Sequence, residues 1–291
     1  MNKYLGDYIP VKTEIPNKLE DHNDFNHIGV ELFKEIAIPI RIISSIKRAN
    51  PETGAFVEYD KEIAVIIGSF VRYGKLTSSL LEQFTQARTE NALIFFRCLA
   101  ETFVNLKYFL KYTDDHTIKH FIKHSLQTEK EMLEIIKKNT SDKNRISPIE
   151  ARMTKSINRA FDDTDFNFDE LNNSTKWNKK VKGRISDILS PEAYSFIYGA
   201  GSHAIHGNWQ DLFSFHLEKG ENGYFPKPEW TTPQIQILTT ATLLSCDLLK
   251  EYCKTFFSGD EEREELFRII NDISKRCEIL TELHEKHLSE K

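Results

Sequence analysis

The sequence predicts an all-α protein: a helical bundle with a long polar connection and a coiled-coil-like helix at its C-terminus. Three observations carry this. Apolar residues recur every three or four positions over long stretches. Only 12 Gly and 9 Pro interrupt 291 residues. No set of alternating apolar and polar residues stands out as strands. With 40% hydrophobic residues, 20 Phe among them, the chain can bury a sizeable core.

The elements follow in order. Residues 1–24 are polar and aperiodic and read as an N-terminal arm. From His27 to Lys47 the series Ile28, Leu32, Ile36, Ile40 and Ile43 marks a helix, with a kink or break expected at Pro39. A second helix spans about 58–86, a third about 89–111 through "NALIFFRCLAETFVNLKYFL", and a fourth about 116–138. Residues 139–190 turn polar and read as an irregular insertion within a single bundle domain over 25–257. Ser190-Pro191-Glu192 has the chemistry of a helix start, and Gly207 sits where a C-terminal cap glycine belongs. Another helix runs from Thr232-Pro233 to Phe257. The last, over 260–291, carries Leu266, Ile270, Ile273, Cys277 and Leu280 in alternating steps of four and three. Such a seam packs on the bundle or on a dimer partner.

Composition excludes several classes. A net charge of −5 and a pI near 6.1 argue against a protein coated in nucleic-acid-binding surface, while leaving room for a local basic groove. The four cysteines form no C-x-x-C pair and sit in apolar helical patterns, as expected in a reducing compartment. The N-terminus has no apolar signal region, and the most apolar long segment, 235–249, is short of a membrane span and contains Gln236 and Asp247. A soluble, cytoplasmic protein without membrane contact or cofactor is expected.

Two polar constellations stand out. In "YGAGSHAIHGNW" (198–209), Ser202 and His206 are four apart on one helical face, with His203 between them. Gly199 and Gly201 lie just upstream, each costing about 1 kcal/mol against Ala in a helix, which makes sense where another helix or a ligand approaches closely. His206 falls in a last turn, where the helix dipole favours positive charge. In the third helix Arg97, Glu101 and Asn105 step by four through an otherwise apolar segment. Burying Arg and Glu requires partners, so this stripe is either an internal salt bridge or the wall of a site. Together, Arg97, Glu101, Ser202 and His206 would serve phosphoryl chemistry, with Asn105 and His203 as binding groups. The run "KWNKKVKGR" adds Trp177, Lys179, Lys180, Lys182 and Arg184, which could attract and stack a nucleic-acid strand or form a solvated surface.

No metal site is expected. His116, His120 and His124 share a helical face, but no carboxylate completes an H-E-x-x-H pattern. Asp163, Asp165 and Asn167 mimic the start of a calcium loop, yet Phe168 takes the glycine position and Ser174 the bidentate acid position.

"RCLAETFVNLKY" from Arg97 followed by "SHAIHG" from Ser202 resembles an uncharacterised bacterial family, a domain of unknown function of the DUF5677 type, over about residues 60–255. The resemblance implies an α-helical bundle with Arg97, Glu101, Ser202 and His206 at the family's polar positions, and brings no known reaction. A remoter similarity is to the HEPN helical domains, often nucleases of defence and toxin systems. Their Arg-x(4–6)-His signature does not follow Arg97 or Arg184 here. The expectation is a metal-independent, ribonuclease-like effector acting on RNA or a nucleotide. The competing expectation is a non-enzymatic interaction or ligand-sensing module whose polar groups specify helix register, dimerising through the C-terminal helix.

Overall fold

The computed structural model describes residues 12–16, 19–112, 115–164, 166, 168, 171, 181–190, 199–257 and 259–290. They are predominantly helical, so the fold is all-α. Two compact units divide the chain: residues 1–111 with 184–291, and residues 112–183.

In the first unit α1 (His22–Ile43) starts earlier than its apolar period suggests. Asp21 accepts from the backbone N–H groups of Asn23 and Asp24, while Asp24 accepts from that of Asp21. This reciprocal cap satisfies first-turn donors before the first large apolar residue arrives. The helix runs on through Pro39 to Ile43 without a break. Residues 12–16 are not a free arm. Thr13 donates its N–H to Glu35 and accepts from Arg276, and Ile15 packs near Phe25 and Leu280.

α2 (Lys61–Thr85) and α3 (Thr89–Lys111) pack side by side, and α9 (Gln236–Phe256) lies against α1, α3 and α10 (Asp260–Ser289). That central placement explains the composition of α9, where Leu238, Ala241, Leu244, Leu248 and Leu249 are buried along with Cys246 and Cys253. Two of its polar side chains are matched: Tyr73 Oη lies 2.9 Å from Ser245 Oγ, and Lys107 donates to Asp247. The seam of α10 is spent inside the chain, with Ile270, Ile273, Cys277 and Leu280 all 1% exposed or less. A buried ion pair fixes α1 to α10, Arg276 donating to both Glu35 oxygens at 2.7 Å.

The second unit contains α4 (Asp115–Lys143) and α5 (Pro148–Asp162). The sequence reads this stretch as irregular, but Ser147, Pro148 and Glu150 open α5 with a full capping box. Leu133, Ile136 and Ile157 form its small core. Lys130 and Lys137 lie over the ring of Phe168. Between the units' sequences runs α6 (Val181–Ile188), and within the first unit Lys111 Nζ donates to the carbonyl of Asp187 at 3.1 Å.

After α7 (Ala200–His206) come the single turn α8 (Trp209–Asp211), a π-helical turn over 212–216, and a hairpin of β1 (Leu217–Lys219) and β2 (Tyr224–Pro226). The sequence shows no strands there because three-residue strands are too short to display an alternation.

Candidate functional site

Arg97 is carried by α3 on a face that is otherwise Phe96, Ala100, Phe103 and Val104, all buried. Its side chain is 6% exposed and donates from Nη1 to Glu101 Oε2 at 2.9 Å, whereas the Glu101 side chain is 39% exposed. A guanidinium in such surroundings needs a carboxylate, and the (i, i+4) spacing supplies one. The pair therefore spans the protein surface, with the cation inside and the anion at the rim. Asn105 continues the stripe, its Oδ1 buried without a hydrogen-bond partner among the described residues.

The second motif reaches this stripe through a glycine. A Cβ at Gly201 would lie 2.4 Å from Arg97 Cβ and 3.0 Å from the carbonyl oxygen of Leu93. Only a residue without a side chain lets α7 settle on α3 at this point. Gly199 is different, since a Cβ there would meet nothing within 4 Å. With about 100° of rotation per residue, Ser202 and His206 are turned roughly 100–140° from the contact face. Accordingly Ser202 is half-buried and His206 exposed. The structure thus joins the two motifs through Gly201 and Arg97, and leaves Ser202 and His206 on the flank of that contact.

α7 ends at Gly207, whose φ of 54° is left-handed and whose N–H returns to the carbonyl of His203. Asn208 then starts α8. Its Oδ1 accepts from the N–H of Asp211, so its amide nitrogen is the atom facing His203 Nδ1. An amide donor at Nδ1 places the imidazole proton of neutral His203 on Nε2, ready to donate outward.

Sequence reasoning missed the groups that follow. Asp211 is 4% exposed; one carboxylate oxygen lies 3.4 Å from His216 Nε2, and the other is buried without a partner among the described residues. Residues five apart do not meet on an α-helix, but one π turn brings them together. On the same segment and the hairpin after it, Trp209, Phe213 and Tyr224 touch, with centroids 5.6–6.3 Å apart, yet are 58%, 42% and 47% exposed. The aromatic density of "NWQDLFSFH" was the available signal.

Other candidate residues fall elsewhere. Trp177, Lys179 and Lys180, like the helix start at 191–192, lie outside the described residues, as does the side chain of Lys182. Arg184 is 4% exposed, so it is no part of a solvated basic run. The His116 and His120 rings are 4.0 Å apart, and burial, helped by His116 and Lys123, holds His120 below the ordinary imidazole value. No helix among the described residues is long and apolar enough to cross a membrane.

Comparison with known proteins gives a family without a reaction. Neither a curated protein nor a solved structure matches the chain. Residues 63–224, which include both polar motifs, α7, the π turn and the start of β2, match the family of unknown function DUF5677; over half the chain lies in that match, and the protein belongs to this family.

Proposed function

We propose that the face formed by α3, α7 and the π turn handles nucleotides, as a metal-independent, ribonuclease-like effector of bacterial defence or stress related to the HEPN domains. The observation that carries this is the Gly201–Arg97 contact, which brings the helix bearing Ser202 and His206 onto the helix bearing Arg97 and Glu101. Burial of Arg97 makes it a positioning residue that holds the Glu101 carboxylate rather than a direct phosphate ligand. In this reading Glu101 accepts the proton of the attacking 2′-hydroxyl as that oxygen bonds to phosphorus. His206, in its protonated form, gives a proton to the departing 5′-oxygen, leaving a 2′,3′-cyclic phosphate. Ser202 supplies a hydrogen bond, and the half-exposed rings of Trp209, Phe213 and Tyr224 offer faces on which unpaired bases stack.

The test is cleavage of single-stranded RNA, with and without EDTA, by the wild type, His206→Ala and Glu101→Gln. Cleavage that survives chelation and falls at least about 100-fold in both variants supports the assignment. Absence of cleavage by the folded wild type overturns it. The second reading, a non-enzymatic interaction or ligand-sensing module, is favoured by one observation: an (i, i+4) pair with a buried guanidinium is a common way to stabilise a helix face. On that reading RNA or nucleotide is bound or ignored without turnover, and a second copy would have to use a face other than the buried α10 seam.

A further inference from the structure

Far along the chain from these motifs, where α1 begins and α10 ends, two imidazoles pack on Phe25 and a third lies beside one of them. His284 is 1% exposed, its ring edge-on to Phe25 at 4.9 Å and 5.8 Å from that of His22. The ring of His287 lies 5.2 Å from Phe25 on another side. The Nε2 atoms of His22, His284 and His287 are all buried, and none has a hydrogen-bond partner among the described residues. A polar contact comes from α9, where Gln236 Nε2 lies 3.3 Å from His284 Nδ1. Unpartnered buried nitrogens are rare because each forfeits a hydrogen bond it would make in water. Among the described residues no three His, Cys, Asp or Glu side chains are placed to hold a metal ion. What each of these rings can take up is a proton.

We propose that His22, His284 and His287 form an acid-sensitive latch that holds the last turns of α10 onto the start of α1. Uncharged, the rings pack as apolar bodies and extend the cluster of Phe25, Leu32, Ile235 and Leu280, which Leu19, Ile28 and Leu283 border. A proton on His284 puts charge into that cluster, beside His22 and His287, and no carboxylate among the described residues pairs with it. Burial is the main reason His284 titrates below the ordinary 6.5; His22 from α1 and His287 from its own helix push the same way, and Glu285 opposes them. From α9 it is faced by the neutral Gln236.

The sign follows from linkage. The closed form binds protons less readily than the open one, so the latch is at full strength above about pH 6.5 and weakens as pH falls through that value towards the depressed one. In that window protonation of His284 raises the opening constant by up to about tenfold per pH unit.

Hydrogen exchange of the full chain at pH 7.5 and 5.5, corrected for intrinsic rates, tests this. Protection of the amides of residues 280–289 should fall, by up to about tenfold, relative to those of α2 and α3. His284→Leu, which keeps the apolar contact and cannot be protonated, should lose most of that difference. Should this variant fail to fold, His22→Asn at the half-buried position removes one of the groups that push His284 down, and its pH dependence should be shallower than the wild type's. A pH dependence undiminished in whichever variant folds, or protection lost equally over α2, α3 and α10, overturns the latch.

Discussion

At the scale of single residues, Gly201 decides whether the two motifs can meet. The atoms that a new Cβ would strike are Arg97 Cβ and the Leu93 carbonyl oxygen, both fixed to the α3 backbone and unable to swing aside. Gly201→Ala should therefore cost about 1–3 kcal/mol despite the better helix propensity of Ala, read as a lowered urea midpoint. At Gly29 a Cβ would meet Ile235 Cγ1 and Cδ1 at 2.9 Å, a less severe approach to side-chain atoms beyond Cβ, so Gly29→Ala should cost less. A larger loss at Gly29 than at Gly201 would contradict this account. The close-approach role of Gly201 was legible in the sequence because a helical glycine asks for a neighbour, although the same expectation fails at Gly199. The dyad of Asp211 and His216 was not, because its five-residue spacing makes contact only on a π turn, and no residue preference marks such a turn in advance.

At the scale of elements, the apolar period located α2, α3, α9 and α10 closely, since each buries a long apolar stripe. It failed where polar chemistry sets the boundary. The Asp21–Asp24 cap begins α1 ahead of its apolar period, and Ser147-Pro148-Ile149-Glu150 opens α5 inside a stretch read as irregular. The α10 seam was legible as a seam but not as to what covers it, because a heptad pattern is the same for a partner within the chain or outside it. What locks α10 in place is Arg276, buried with Glu35 and reaching the carbonyl of Thr13. Glu35→Gln would leave the guanidinium short of a charge partner, with Asp272 remaining 2.9 Å away at the exposed edge. The expected loss is about 3 kcal/mol, measured by chemical denaturation, with residues 12–16 losing protection first. An unchanged midpoint would mean that Asp272 alone suffices.

At the scale of the whole molecule, three thiols report on global opening. Cys246, Cys253 and Cys277 are each 1% exposed or less, and burial pushes each up to about 12. At pH 8 on the order of one such thiol in 10⁴ is ionised while the fold is closed. An alkylating reagent should therefore label the half-buried Cys98 first, and the other three only at the rate at which unit 1 unfolds. Rapid labelling of all four in buffer would show that α9 and α10 open far more readily than their packing implies. Denaturant should bring the three buried sites up together, since they belong to one cooperative core.

One contact within unit 1 bears on the history of the family. The lysine that closes α3 reaches the carbonyl of Asp187, so the chain departs at residue 111 and is back beside its own point of departure by residue 187. An insert that leaves and returns at neighbouring points has no distance to bridge, and the entropy of closing it grows only with the logarithm of its length. Residues 112–183 can then lengthen, shorten or be exchanged among relatives without disturbing the helices that carry Arg97 and Gly201. Alignments of this family should accumulate their gaps in that interval, and the two halves of the polar site should stay constant in space while the number of residues between them does not.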